Sequence, residues 1–215
     1  MKEIRFGLIG VFLLIFMAAC TSPENTIYEV MEATAKKEDG FEKQQEPLAK
    51  LEADEKAIFD EIMDLGMKEF DEITKLADEA LANLDEREEL IKKEKQSIDE
   101  SREEFKKATE EFNKIKDEKL KEEADHLQSL MNNRYETHNT LYELYLQGLE
   151  EDRKIYELIK KDDLQMEELS AQIDTTNQVY ESIIKENSQF NEQTEQFNEA
   201  KLQFYKNAGI QIKTS

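Results

Sequence analysis

The chain has 215 residues, 29 basic and 51 acidic side chains, a formal charge of −22, six glycines, two prolines, one cysteine and no tryptophan. Turn-rich α/β and all-β folds consume Gly and Pro at every reversal, so they are disfavoured, whereas 38% hydrophobic with 37% charged residues suits long helices and coiled coils. A chain this acidic repels phosphate backbones, which argues against nucleic acid as a partner, and it has little electrostatic attraction to anionic headgroups.

Lys2 and Arg5 form a short basic start, and Phe6 through Met17 follow without a charge. Such a stretch falls short of the ~20 residues that span a bilayer and matches the apolar region of a signal peptide. Ala18 and Ala19 then precede Cys20, the sole cysteine. Two small residues directly before a cysteine resemble the lipobox of bacterial lipoproteins, although Met17 stands where leucine is usual. This predicts cleavage between Ala19 and Cys20, removal of residues 1–19 as the signal peptide, and acylation of Cys20 with palmitate-type chains. With no second cysteine, no disulfide competes for the thiol. Each buried methylene contributes ~0.8 kcal/mol, so two or three chains would hold residues 20–215 stably on the outer face of the plasma membrane, facing the cell wall. The removed segment carries one acid and two bases, which makes the mature charge −23.

Ser22-Pro23 reads as an N-cap and first helical position. An apolar heptad then runs through Ile27, Val30, Thr34, Phe41, Leu48, Leu51, Ile58, Ile62 and Leu65. A reversal is expected at Asp64-Leu65-Gly66. Phe70, Ala77, Leu84, Ile91, Ile98, Phe105 and Phe112 follow at intervals of seven, flanked by Ile73, Ala80, Ala108 and Ile115. A second turn is expected at Lys114–Glu118, with Asp117 as N-cap, and a third at Lys160–Asp163, with an aspartate capping the next helix. The last run places Ile173, Tyr180, Ile183, Phe190, Phe197 and Phe204 on one seam. Its phenylalanine ladder is heptad core or, on the sharper reading, a ligand-binding stripe. The spacing predicts an all-α, elongated, antiparallel up-and-down bundle with coiled-coil heptads and four long helices of about 60–70 Å. The rival is three helices, with Gly66 a stutter and the break near Gly40–Pro47. Glu88–Lys92, Glu89–Lys93, Glu103–Lys107 and Glu110–Lys114 mark solvated faces by i,i+4 pairing.

No glycine-rich phosphate loop, nucleophile elbow or metal-site spacing is present, so no cofactor, metal or catalytic residue is predicted and the protein reads as a non-enzyme. The densest group of functional side chains is Arg134, Tyr135, His138 and Tyr142, with Tyr145 on the same face as His138 and Tyr142. Such a cluster could grip a peptide or sugar by stacking and hydrogen bonding, or form a polar layer in a bundle core.

The lipobox, the acidic heptads, and segments such as Leu84-Asp85-Glu86-Arg87-Glu88 and Asn132-Asn133-Arg134-Tyr135 resemble the YkyA family of lipoproteins from Gram-positive bacteria, to which cell-wall binding is ascribed. The resemblance spans the mature chain and implies an elongated helical bundle. Wall teichoic acids are polyanions, so a −23 chain would contact peptidoglycan or an envelope protein, or meet the wall through bridging divalent cations. The expected function is non-catalytic, lipid-anchored binding or scaffolding. The alternative is a ligand-binding or enzymatic lipoprotein built on the Arg134–Tyr142 cluster.

Overall fold

The computed structural model describes residues 22–65 and 69–210. Within them lie α1 (Pro23–Lys37), α2 (Asp39–Asp64), α3 (Phe70–Phe112), α4 (Glu118–Ile159) and α5 (Met166–Asn207), and no strand. The expected signal peptide (residues 1–19), Cys20 and Gly66 lie outside the described residues.

Ser22 caps α1 by accepting the Asn25 N–H at 3.4 Å, and Pro23 occupies the first turn, where its missing N–H costs nothing. Asp117 caps α4 by accepting the Leu120 N–H at 2.9 Å. The third turn differs from expectation. α5 is preceded by Gln165, whose side chain makes no cap hydrogen bond; its amide instead donates to the Asp163 carbonyl at 2.8 Å. The aspartates therefore lie in the connection, and Lys160 closes α4 while pairing with Asp78 at 2.7 Å.

α1 and α2 pack against α3, α3 against α4, and α4 against α5. The chain therefore reverses between α2 and α3, and the architecture is a four-long-helix antiparallel bundle. The 43 residues of α3 make it about 65 Å long at ~1.5 Å per residue. The first long helix is broken at Glu38, two residues before Gly40, while Pro47 is carried inside α2. Ser97 bridges this break: its hydroxyl donates to the Lys37 carbonyl at 2.6 Å and accepts the Phe41 N–H at 2.9 Å. Gly40 permits that approach, because a Cβ there would stand 2.9 Å from both Ser97 Cβ and Oγ.

Two apolar clusters fill the ends. Near the start of α1, Ile27 and Met31 pack with Phe105, Phe112, Ile115, Leu127, Phe197, Phe204 and Tyr205. At the opposite end Leu48, Ile62, Ile73, Ala77, Leu84, Leu149, Ile159 and Leu169 pack together. Phe190, Phe197 and Phe204 are all buried, so the ladder is core; each fully buried phenylalanine contributes ~1.5–3 kcal/mol. On the surface Lys92 reaches Glu88 at 2.8 Å as expected, but Glu103 pairs with Lys106 rather than Lys107, and Lys114 with Glu111 rather than Glu110.

Candidate functional site

Between the apolar ends the heptad seam turns polar. On α3 the line through Ile73 and Ala80 continues as Arg87, Glu94 and Ser101 before returning to Ala108, and all three polar residues are buried. Facing it, also seven apart, stand Glu52, Gln45 and Glu38. The helices are antiparallel, so the two lines meet in order. Ser101 donates to Glu38 at 2.7 Å, Gln45 donates to Glu94 at 2.7 Å, and Arg87 faces Glu52 at 3.8 Å. α4 and α5 complete these three rungs.

Arg134 enters the first rung. Its guanidinium grips Glu38 in a bidentate pair at 2.8 and 2.7 Å, donates from Nε to Thr194 at 2.8 Å, and lies 4.5 Å from the centre of the Phe190 ring. Tyr135 shares a 2.9 Å hydrogen bond with Ser101, and burial pushes its phenol well above the usual tyrosine range. His138 belongs to the second rung, with Nε2 at 3.3 Å from Glu94. Its ring lies 5.9 Å from Phe41 and 5.5 Å from Phe190, and its buried Nδ1 has no hydrogen-bond partner. Tyr142 stands apart. It is half-buried, with the Lys95 ammonium 5.8 Å from its ring centre. Arg134, Tyr135 and His138 therefore point inward as neighbouring rungs of a polar layer, and Tyr142 does not join them. The cavity beside Arg134 has a volume of about 90 Å³ and is walled partly by Met31, Phe105, Met131 and Phe197.

Of the third rung the sequence marks Tyr145 but not Arg87, Glu52 or Asp152. Arg87 Nε donates to Tyr145 at 3.0 Å and Nη2 to Tyr180 at 3.2 Å. Those phenols pass their own protons on: Tyr145 donates to Glu52 at 2.8 Å, Tyr180 to Asp152 at 2.5 Å, and Tyr156 to Glu55. Asp152 is pushed up to about 6 by burial first and by the Glu55 and Glu151 charges; the Tyr180 hydrogen bond and Arg87 act the other way. Gly148 lets α5 close on α4 here, since a Cβ would lie 3.1 Å from Ile183 Cδ1. Interrupted seam lines were the available signal: three polar residues at intervals of seven inside an otherwise apolar line.

Among the described residues, no group of three or more His, Cys, Asp or Glu is arranged to hold a metal ion, and no helix is long and apolar enough to cross a membrane. His138 contacts a carboxylate and two phenyl rings, and Arg134 is occupied by Glu38. The chemistry these groups display is mutual neutralisation inside a bundle.

This all-α bundle, with its buried polar middle, belongs to the YkyA family, whose model is described as "Putative cell-wall binding lipoprotein" and matches residues 22–207. The chain is 36% identical over 211 residues to "Uncharacterized lipoprotein YkyA" of Bacillus subtilis (strain 168), covering 96% of this chain and 95% of that one. The fold is also similar to the crystal structure of a conserved protein of unknown function from Staphylococcus aureus. That match has a TM-score of 0.59 and 13% identity over 86% of this chain and 96% of the other. Neither the family description nor the relative's name indicates a catalytic family.

Proposed function

We propose that the protein is a non-catalytic binding or scaffolding lipoprotein, held by acylated Cys20 on the outer face of the plasma membrane and contacting peptidoglycan along its helices. The observation that carries this reading is the family match over residues 22–207 to a description naming both a lipoprotein and the cell wall. The geometry is compatible. The helical fold begins at Ser22, two residues after Cys20, so a lipid at that cysteine leaves almost no slack. A bundle about 65 Å long then extends from the anchor and presents exposed faces over its length. The −23 charge of the mature chain disfavours teichoic acids and leaves the peptide and sugar of the wall, or an envelope protein, as partners.

Photocrosslinking in living cells tests this. A photoreactive residue replaces Ile184 or Leu202, exposed at 66% and 53% of their surface. Adducts released by muramidase digestion are expected. Crosslinks confined to one envelope protein would replace wall binding with scaffolding, and adducts with neither would overturn the proposal.

A further inference from the structure

The bundle is loosely closed along one side. α2 rests on α3 and α5 on α4, but α2 and α5 approach mainly through side chains such as Phe41 and Phe190, whose rings are 5.7 Å apart. Farther from the α1 end the two helices leave a cleft with α4 as its floor. It has a volume of about 170 Å³ and is lined by Glu55, Asp152, Tyr156, Thr176, Asn177 and Tyr180, among others. A water molecule takes ~30 Å³ in the liquid, so this space suits a small organic group.

The cleft has two unmet demands. Glu55 and Asp152 bring two carboxylates and Glu52 a third nearby, each accepting one tyrosine hydroxyl but none in hydrogen-bond contact with a cation. The buried cation facing them, Arg87, stands 3.8, 3.9 and 3.8 Å away respectively, beyond hydrogen-bond distance. Lys56, on the rim, has its ammonium on Asp60 at 2.5 Å. Burial first, and then the Glu55 and Glu151 charges, raise the Asp152 carboxyl, against the Tyr180 hydrogen bond and Arg87. The second demand lies behind those carboxylates, at Arg87, which faces Glu55 and Asp152 from outside the cleft lining. The residue is 1% exposed, and its Nη1, directed at Glu55 and Asp152, makes no hydrogen bond. Carboxylates want a cation and Nη1 wants an oxygen acceptor. An amine with a carbonyl beside it supplies both, and the Tyr156 and Tyr180 rings in the lining favour a cationic guest.

We propose that the α2–α5 cleft binds the ammonium end of an amino acid or short peptide, with the ammonium between Glu55 and Asp152 and its carbonyl oxygen toward Arg87 Nη1. The site deepens the wall-contact reading and rests on it only for the ligand's source, since uncrosslinked wall peptides expose such amines.

The detergent-solubilised full chain is titrated with alanyl-alanine, N-acetyl-alanyl-alanine and ethylamine, using calorimetry and saturation-transfer NMR. Alanyl-alanine should bind, the acetylated dipeptide at least about tenfold more weakly, and ethylamine in between. Asp152→Asn should weaken alanyl-alanine about tenfold without lowering the melting temperature at pH 7, because it removes a poorly compensated buried charge. Asn177→Trp, at an exposed lining position, should abolish binding by filling the mouth even if Asp152→Asn misfolds. Equal affinity for free and acetylated dipeptide, or no binding of any probe at about ten millimolar, would overturn the site. Retention on isolated peptidoglycan together with no dipeptide binding overturns this inference but leaves the wall reading standing; dipeptide binding without wall retention does the reverse.

Discussion

Replacing Arg134 with leucine decides whether that residue is a wall of the fold or part of a working site. In the structure its side chain is 5% exposed and satisfies the 19%-exposed Glu38 carboxylate with two hydrogen bonds. Arg134→Leu fills much of the volume but leaves Glu38 with Ser101 alone. Breaking a buried pair by removing one partner costs about 3–5 kcal/mol. Glu38 retains some access to water, which places the expected loss near the lower end, about 3 kcal/mol. Near ~2–4 °C per kcal/mol for a chain of this size, the melting temperature should fall by about 6–12 °C. The assay is urea unfolding followed by far-UV circular dichroism, run beside Glu38→Gln and the double variant. The double variant should recover about 1.5–2 kcal/mol relative to additivity, because no buried charge is then left alone. A loss below about 1 kcal/mol, or strict additivity, would refute the argument that Glu38 and Arg134 hold the α1–α2 break against α4.

Ser97→Ala removes both hydrogen bonds across that break and should cost about 1–2 kcal/mol by chemical denaturation, with helix content unchanged. Asp152 gives a pH dependence of known sign. Its folded value of about 6 exceeds the unfolded 3.8, so its contribution is full below about pH 4 and is lost as pH rises through about 6. The groups facing it are Glu55 on α2, Arg87 on α3, Glu151 on its own helix and Tyr180 on α5. Subtracting the Asp152→Asn stability profile from wild type should reveal a decline of about 2–3 kcal/mol over that window, and a flat difference would contradict it. Cys20→Ala should abolish incorporation of an alkyne fatty acid; equal labelling of both proteins would remove the anchor.

The heptads make the architecture legible in the sequence. Phe70 through Phe112 at intervals of seven marked α3 over its whole length, and Asp117 marked the cap of α4. The break at Glu38 was harder to see, because it depends on Ser97, some 60 positions away, offering its hydroxyl to the interrupted backbone. The polar middle was half visible. Arg134, Tyr135 and His138 stand close together in sequence, but their partners Glu38, Ser101 and Glu94 come from elsewhere in the chain. Arg87 sits where the apolar line of α3 lapses between Ala80 and Ala108, and such a lapse reads as weak seam until a facing line of Glu38, Gln45 and Glu52 is laid against it. Neither Asp162 nor Asp163 caps α5, for a local reason: the helix begins later, after Gln165.

Co-sedimentation of the detergent-solubilised full chain with teichoic-acid-stripped peptidoglycan, at low and at physiological salt, tests the wall-binding account most directly. Contacts made by hydrogen bonding and burial survive screening, whereas exposed charge pairs weaken within a Debye length of about 8 Å. Saturable retention that persists at physiological salt is the predicted result. A chain that stays in the supernatant at both salt concentrations would contradict direct wall binding.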